Sequence, residues 1–83
     1  ADDAVLVFDP TQSRFVFATV EPGMIAHELG LRPGDVLEAI DDAVIDDLDA
    51  ATRVYRASED AEAIVVRVGR GARWVDFQLR FED

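Results

Sequence analysis

Few side chains in this sequence could do covalent chemistry. His27 is the one histidine, Ser13 and Ser58 are the two serines, and there is no cysteine. Nucleophilic catalysis needs a nucleophile, an oriented base and an oxyanion site together. His27 lies between Ala26 and Glu28 on a short helix, and neither serine is close to it in sequence. It reads as a surface or half-buried helix residue.

The carboxylates offer a second chemistry. The run from Asp35 to Asp49 holds seven of them and no cation, which invites a divalent ion. An EF-hand loop, however, needs alternating ligands, a glycine at its sixth position and a glutamate at its twelfth. The stretch Asp41-Asp42-Ala43-Val44-Ile45-Asp46-Asp47 does not supply them. The run reads as a solvated acidic rim with helix-capping roles. On these grounds the chain is not an enzyme, and it carries neither a metal site nor a cofactor.

Composition narrows what it could bind. The 83 residues carry 18 acidic and 8 basic side chains, a net charge of −10. That balance excludes nucleic acid, whose binding depends on cations neutralising phosphates, and disfavours anionic lipid. Unbroken apolar runs reach five residues, far short of the roughly 18–20 that a membrane span needs, so no direct membrane insertion is expected. At 49% hydrophobic residues the chain should nonetheless fold, as one small domain. All eight basic residues are arginines, and Arg67, Arg70 and Arg73 make one basic patch that serves solubility.

The elements follow from periodicity and turn chemistry. Ala4–Phe8 is a short apolar strand, either covered on both faces or paired at an edge, and ended by the turn residues Asp9-Pro10-Thr11-Gln12-Ser13. Phe15–Val20, rich in β-branched and aromatic residues, is a second strand. A short helix spans Met24–Leu29, and Gly30 sits where a helix end favours positive φ. Val36–Ile40 is a strand, and Val44-Ile45 a brief extended piece after the Asp41-Asp42-Ala43 turn.

A longer helix starts at Asp46-Asp47, whose carboxylates suit its N-terminus. Leu48, Ala51, Val54 and Tyr55 then recur at helical spacing. Glu62–Val68 and Trp74–Phe81 form a terminal hairpin about Gly69-Arg70-Gly71. Strict alternation in its last strand points Val75, Phe77, Leu79 and Phe81 inward. Trp74, on the other face, covers a sheet edge or the short helix. The order β-β-α-β-α-β-β describes an α+β domain.

The stretch Val20-Glu21-Pro22-Gly23-Met24-Ile25-Ala26 through Leu29-Gly30-Leu31-Arg32-Pro33-Gly34-Asp35-Val36-Leu37 resembles the signature of bacterial PDZ domains. The resemblance implies a small antiparallel sheet or partly open barrel of five to six strands with two helices. It extends over nearly the whole chain, so residues 1–83 are expected to be a single PDZ domain. The opening Ala1 in place of Met suggests a piece excised from a longer protein. Tyr55-Arg56-Ala57 and the strand from Ala61 to Val68 are similar to the PDZ domain of the type II secretion C-component. PDZ domains appended to HtrA-type and site-2 proteases share much of the pattern. Each setting implies the bacterial periplasm or cell envelope.

PDZ domains take an extended peptide, usually a C-terminus, as an added strand beside their second strand and second helix. Carried onto this chain, the strand is Phe15–Val20 and the helix spans residues 47–57. The peptide-binding residues would then be Ser13, Arg14, Phe15, Val16 and Phe17, with Leu48 and Thr52 on the helix and Ala51, Val54 and Tyr55 facing the core. Residues 1 to 22 contain no glycine, and Arg14 stands where the family's carboxylate loop carries one. Arg14 could add charge to that loop, while its Cβ restricts the backbone nest.

Leu48 would favour an apolar ligand side chain. With the acid clustered beside the helix start, the expected partner is an extended peptide or protein segment, basic upstream of an apolar tail. The reading is thus a peptide-binding module of an envelope secretion system. The alternatives are a regulatory or substrate-sensing domain on a protease, or an assembly domain without a groove ligand.

Overall fold

A computed structural model describes residues 4–80, with the main chain alone for Ile25. The strands are β1 (Ala4–Asp9), β2 (Arg14–Val20), β3 (Val36–Ile40), β4 (Ala43–Val44), β5 (Ala63–Arg70) and β6 (Arg73–Arg80). The helices are α1 (Ile25–Leu29) and α2 (Leu48–Ser58). The sheet runs β1-β2-β3-β5-β6, with β4 paired to β3. Every pairing is antiparallel. The sheet is open rather than closed, and among the described residues β1 and β6 are its edges. This is the α+β, PDZ-like architecture that the sequence implies.

Local chemistry explains the element ends. Asp9 accepts from Thr11 N and Thr11 Oγ1 at 2.9 and 2.6 Å, closing the β1–β2 turn, and these bonds hold its carboxyl below the usual range. Gly30, at φ +104°, ends α1 and donates to the Ala26 and His27 carbonyls. A Cβ there would also meet the Phe77 ring at 3.2 Å. Asp47 caps α2, its carboxylate accepting from Ala50 N at 2.7 Å. The β3–β4 turn holds Asp41 and Asp42 at positive φ. Asp41 spans to β5, donating from its N–H to the Val65 carbonyl at 2.9 Å and accepting from Val65 N at 2.8 Å.

Most element ends shift by a residue from the sequence reading, and the terminal hairpin shifts further. Gly69 and Arg70 belong to β5, because Arg70 pairs with Arg73 and leaves a two-residue turn at Gly71-Ala72. Gly71 alone takes the positive φ (62°) that this tight turn requires. Alternation holds through β6, with Val75, Phe77 and Leu79 half-buried; Phe81 lies outside the described residues. Trp74 is 65% exposed and lies under the Arg67 guanidinium, 5.0 Å from its ring centroid.

The core gathers Phe17, Val20, Leu31, Leu37, Ile45 and Val68 between the sheet and the helices. Beside it Asp35 is almost wholly buried. Its carboxylate accepts from Arg70 Nε and Nη2 at 2.9 and 2.7 Å and from Arg32 N at 2.9 Å. Arg70 therefore belongs to an internal ion pair, not to a solvating patch. It also donates to the Gly30 carbonyl at 2.8 Å.

Burial raises the Asp35 pKa, but the Arg70 and Arg32 hydrogen bonds outweigh it and leave it below its ordinary value. A depressed folded-state pKa contributes stability that is complete above the unfolded value and lost as pH falls through the folded one. Asp35→Asn should therefore cost about 3 kcal/mol at neutral pH. Urea titrations from neutral to acid pH should show the gap between variant and wild type closing as the solution becomes acidic.

Candidate functional site

The expected ligand strand is occupied on both edges. Along one edge β2 pairs with β1 from Arg14↔Asp9 to Val20↔Ala4. Along the other, Phe15 and Val16 pair with Leu37 and Val36 of β3. Phe17 is also held there, its N–H donating to the Asp35 carbonyl at 2.9 Å and its carbonyl accepting from Gly34 N at 2.8 Å. No free backbone remains at residues 15–17 for an incoming strand. Strand addition at residues 15–17 would therefore find no open donors or acceptors, because that part of β2 lies between two partners.

The other expected site residues are also dispersed. Ser13 is an exposed turn residue at φ 52°. Arg14 donates from Nε to Glu38 Oε1 at 2.9 Å, which leaves it engaged across the sheet. Phe15 stands edge-on to Phe8 with 5.1 Å between centroids, and Phe17 is core. Val16 pairs with Val7. On α2, Leu48 is 69% exposed and Thr52 donates to the Leu48 carbonyl at 2.9 Å. Tyr55, expected to face the core, is 71% exposed; Ala50 takes the buried position instead.

The residues brought together lie one strand away. β1 is an edge strand with its outer side unpaired among the described residues. Val5, Leu6, Val7 and Phe8 are 42, 44, 53 and 39% exposed. The register sets Leu6 opposite Phe17 and Phe8 opposite Phe15, so Leu6 and Phe8 share the core-side face. An extra residue of β2 between the Val5↔Thr19 and Leu6↔Phe17 pairs bulges the hairpin and increases its twist.

Between Leu6 and α2 opens a cavity of about 780 Å³. Leu37, Ile40, Ile45, Ala51 and Ile64 give it apolar walls, and Tyr55 and Ser58 border it from the helix. Glu59, Asp60 and Glu62 line it from the α2–β5 connection. None of Ser13, Arg14, Phe15, Val16, Phe17, Leu48 or Thr52 lines it. Among the described residues, no group of three His, Asp or Glu is placed to hold a metal ion.

A sequence model of the PDZ domain matches residues 16–68, more than half of the chain. The chain belongs to the PDZ domain family. In fold it is similar to the PDZ domain of EpsC from Vibrio cholerae, in structures of two lengths of that protein. For residues 204–305 the TM-score is 0.72 at 14% identity, covering 94% of this chain and 75% of that one. For residues 219–305 the score and identity are the same, with coverage of 94% and 91%. No curated protein matches the sequence.

PDZ domains are interaction modules that bind peptide segments by strand addition beside a helix. In this PDZ domain the strand with an open edge beside the cavity is first in chain order. The run Ala4–Phe8 is legible in the sequence as a strand covered on both faces or paired at an edge, five apolar residues in succession where one solvated face would alternate. Nothing in it alone ties it to a ligand. Side-chain truncation separates cavity from surface. Leu37→Ala should cost about 2–4 kcal/mol, whereas Leu48→Ala should stay within about 0.5 kcal/mol in urea unfolding.

Proposed function

We propose that this PDZ domain captures an extended peptide or protein segment by adding it as a strand to the outer edge of β1, with a ligand side chain entering the cavity against α2. The exposed run Val5–Phe8 carries the reading. Unpaired, apolar edge strands are aggregation hazards that proteins blunt with charge, proline or a covering element. This one has none of these from Ala4 to Phe8, and it adjoins an apolar cavity. The open cavity also favours a groove ligand over a purely structural role.

The setting we favour is a bacterial envelope secretion system, with residues 1–83 as one domain of a longer protein. The similarity of Tyr55-Arg56-Ala57 and the following strand to the type II secretion C-component supports it, as does the fold shared with the EpsC domain. The Gly30-Leu31-Arg32-Pro33-Gly34-Asp35 motif suits the protease-appended alternative equally.

Strand addition is tested through the backbone. The probe is a blocked peptide of alternating valine and threonine with a central methionine, titrated into the 15N-labelled domain. Amide shifts should concentrate at Val5–Phe8 and along α2. N-methylating the alternate amides that face β1 should weaken binding by about tenfold for each lost hydrogen bond. Methylating the intervening amides should have little effect. Equal sensitivity of the two sets would show that no strand is added.

A further inference from the structure

We infer that the cavity beside β1 selects an arginine or lysine side chain of an internal segment, not an apolar C-terminal residue with its free carboxylate. The inference rests on strand addition at β1. Its ground is the combination of apolar walls with the charge at their mouth. Leu6, Leu37 and Ala51 would cover an aliphatic stem. Glu59, Asp60 and Glu62 stand exposed among the residues that line the same cavity, and none is in an ion pair among the described residues.

A long cationic side chain buries its methylenes on apolar surface while its head stays among polar groups. The exposed Tyr55 ring on the cavity wall adds a face on which a guanidinium can stack. A ligand carboxylate would instead arrive among three like charges. No arginine lines the cavity, and Arg14 is held by Glu38.

Four peptides test this in 15N titrations of the domain. Three are blocked at both ends and differ only in a central arginine, norleucine or glutamate; the fourth ends at norleucine with a free carboxylate. The arginine peptide should bind about tenfold tighter than the blocked norleucine peptide, with the glutamate peptide and the free acid weaker still. Its advantage should shrink in about 0.5 M sodium chloride. It should also shrink in Glu59→Gln/Asp60→Asn/Glu62→Gln, yet survive in the equally neutralised control Glu21→Gln/Glu28→Gln/Asp46→Asn.

Norleucine binding as tightly as arginine, with shifts at β1, would overturn the cation preference and leave strand addition standing. Tightest binding by the free acid, or an arginine preference unchanged in the cavity-mouth variant, would do the same. If no peptide shifts the β1 amides, strand addition fails and the cation preference fails with it.

Discussion

The Asp35 carboxylate grips the Arg70 guanidinium with two hydrogen bonds, 2.9 and 2.7 Å long, at a position 2% exposed to solvent. The contact draws together the end of α1 through the Gly30 carbonyl, the turn before β3 through Arg32 N, and β5 through Arg70 itself. The Asp35 main chain adds β2, by accepting from Phe17 N. Even β6 is involved, because the guanidinium lies 5.9 Å from the Phe77 ring centroid. Removing one partner would strand a charge in a nearly dry site, which is far worse than never having buried the pair. The pair thus fixes how the hairpin, the short helix and the sheet centre meet.

That arrangement decides where a ligand can be accepted. Once β2 is hydrogen-bonded to β3 and tied through Phe17 to Gly34 and Asp35, both its edges are consumed over residues 15–17. The remaining backbone of the β1–β2 hairpin lies on the outer side of β1, facing the cavity that α2 overhangs. Asp47 sets the start of α2, and the buried Ala50 sets its rotation. With that rotation Ala51 and Tyr55 border the cavity, whereas Leu48 and Thr52 turn to solvent. The site is therefore a consequence of pairing order.

Much of this was legible in the residues. Gly30 announced the end of α1, and the Asp47 cap placed α2 within a residue. Alternation in Val75, Phe77 and Leu79 gave the last strand its faces. Pairing order was not legible, because period and propensity show that a strand exists but not which neighbours it takes. The family pattern filled that gap by assigning the ligand to the second strand, and with it Ser13, Arg14, Phe15, Val16 and Phe17, none of which lines the cavity. Arg70 was misread for a related reason: its partner lies thirty-five residues away, so nothing local distinguished it from Arg73.

The charge of −10 takes on a different meaning once its members are placed. Asp35 is paired with Arg70, Glu38 with Arg14 and Asp76 with Arg67, while Asp41 and Asp47 accept from backbone amides. These carboxylates are committed to the fold and offer little to a partner. Glu59, Asp60 and Glu62 are uncommitted, and they stand at the mouth of the largely apolar cavity beside the exposed edge of β1. Apolar surface there rewards association without discrimination, so specificity has to come from the groups around it. Repulsion by three carboxylates is such a filter: it acts against acidic segments before contact and against an uncompensated terminus after it. The same repulsion works between two copies of the domain approaching edge to edge.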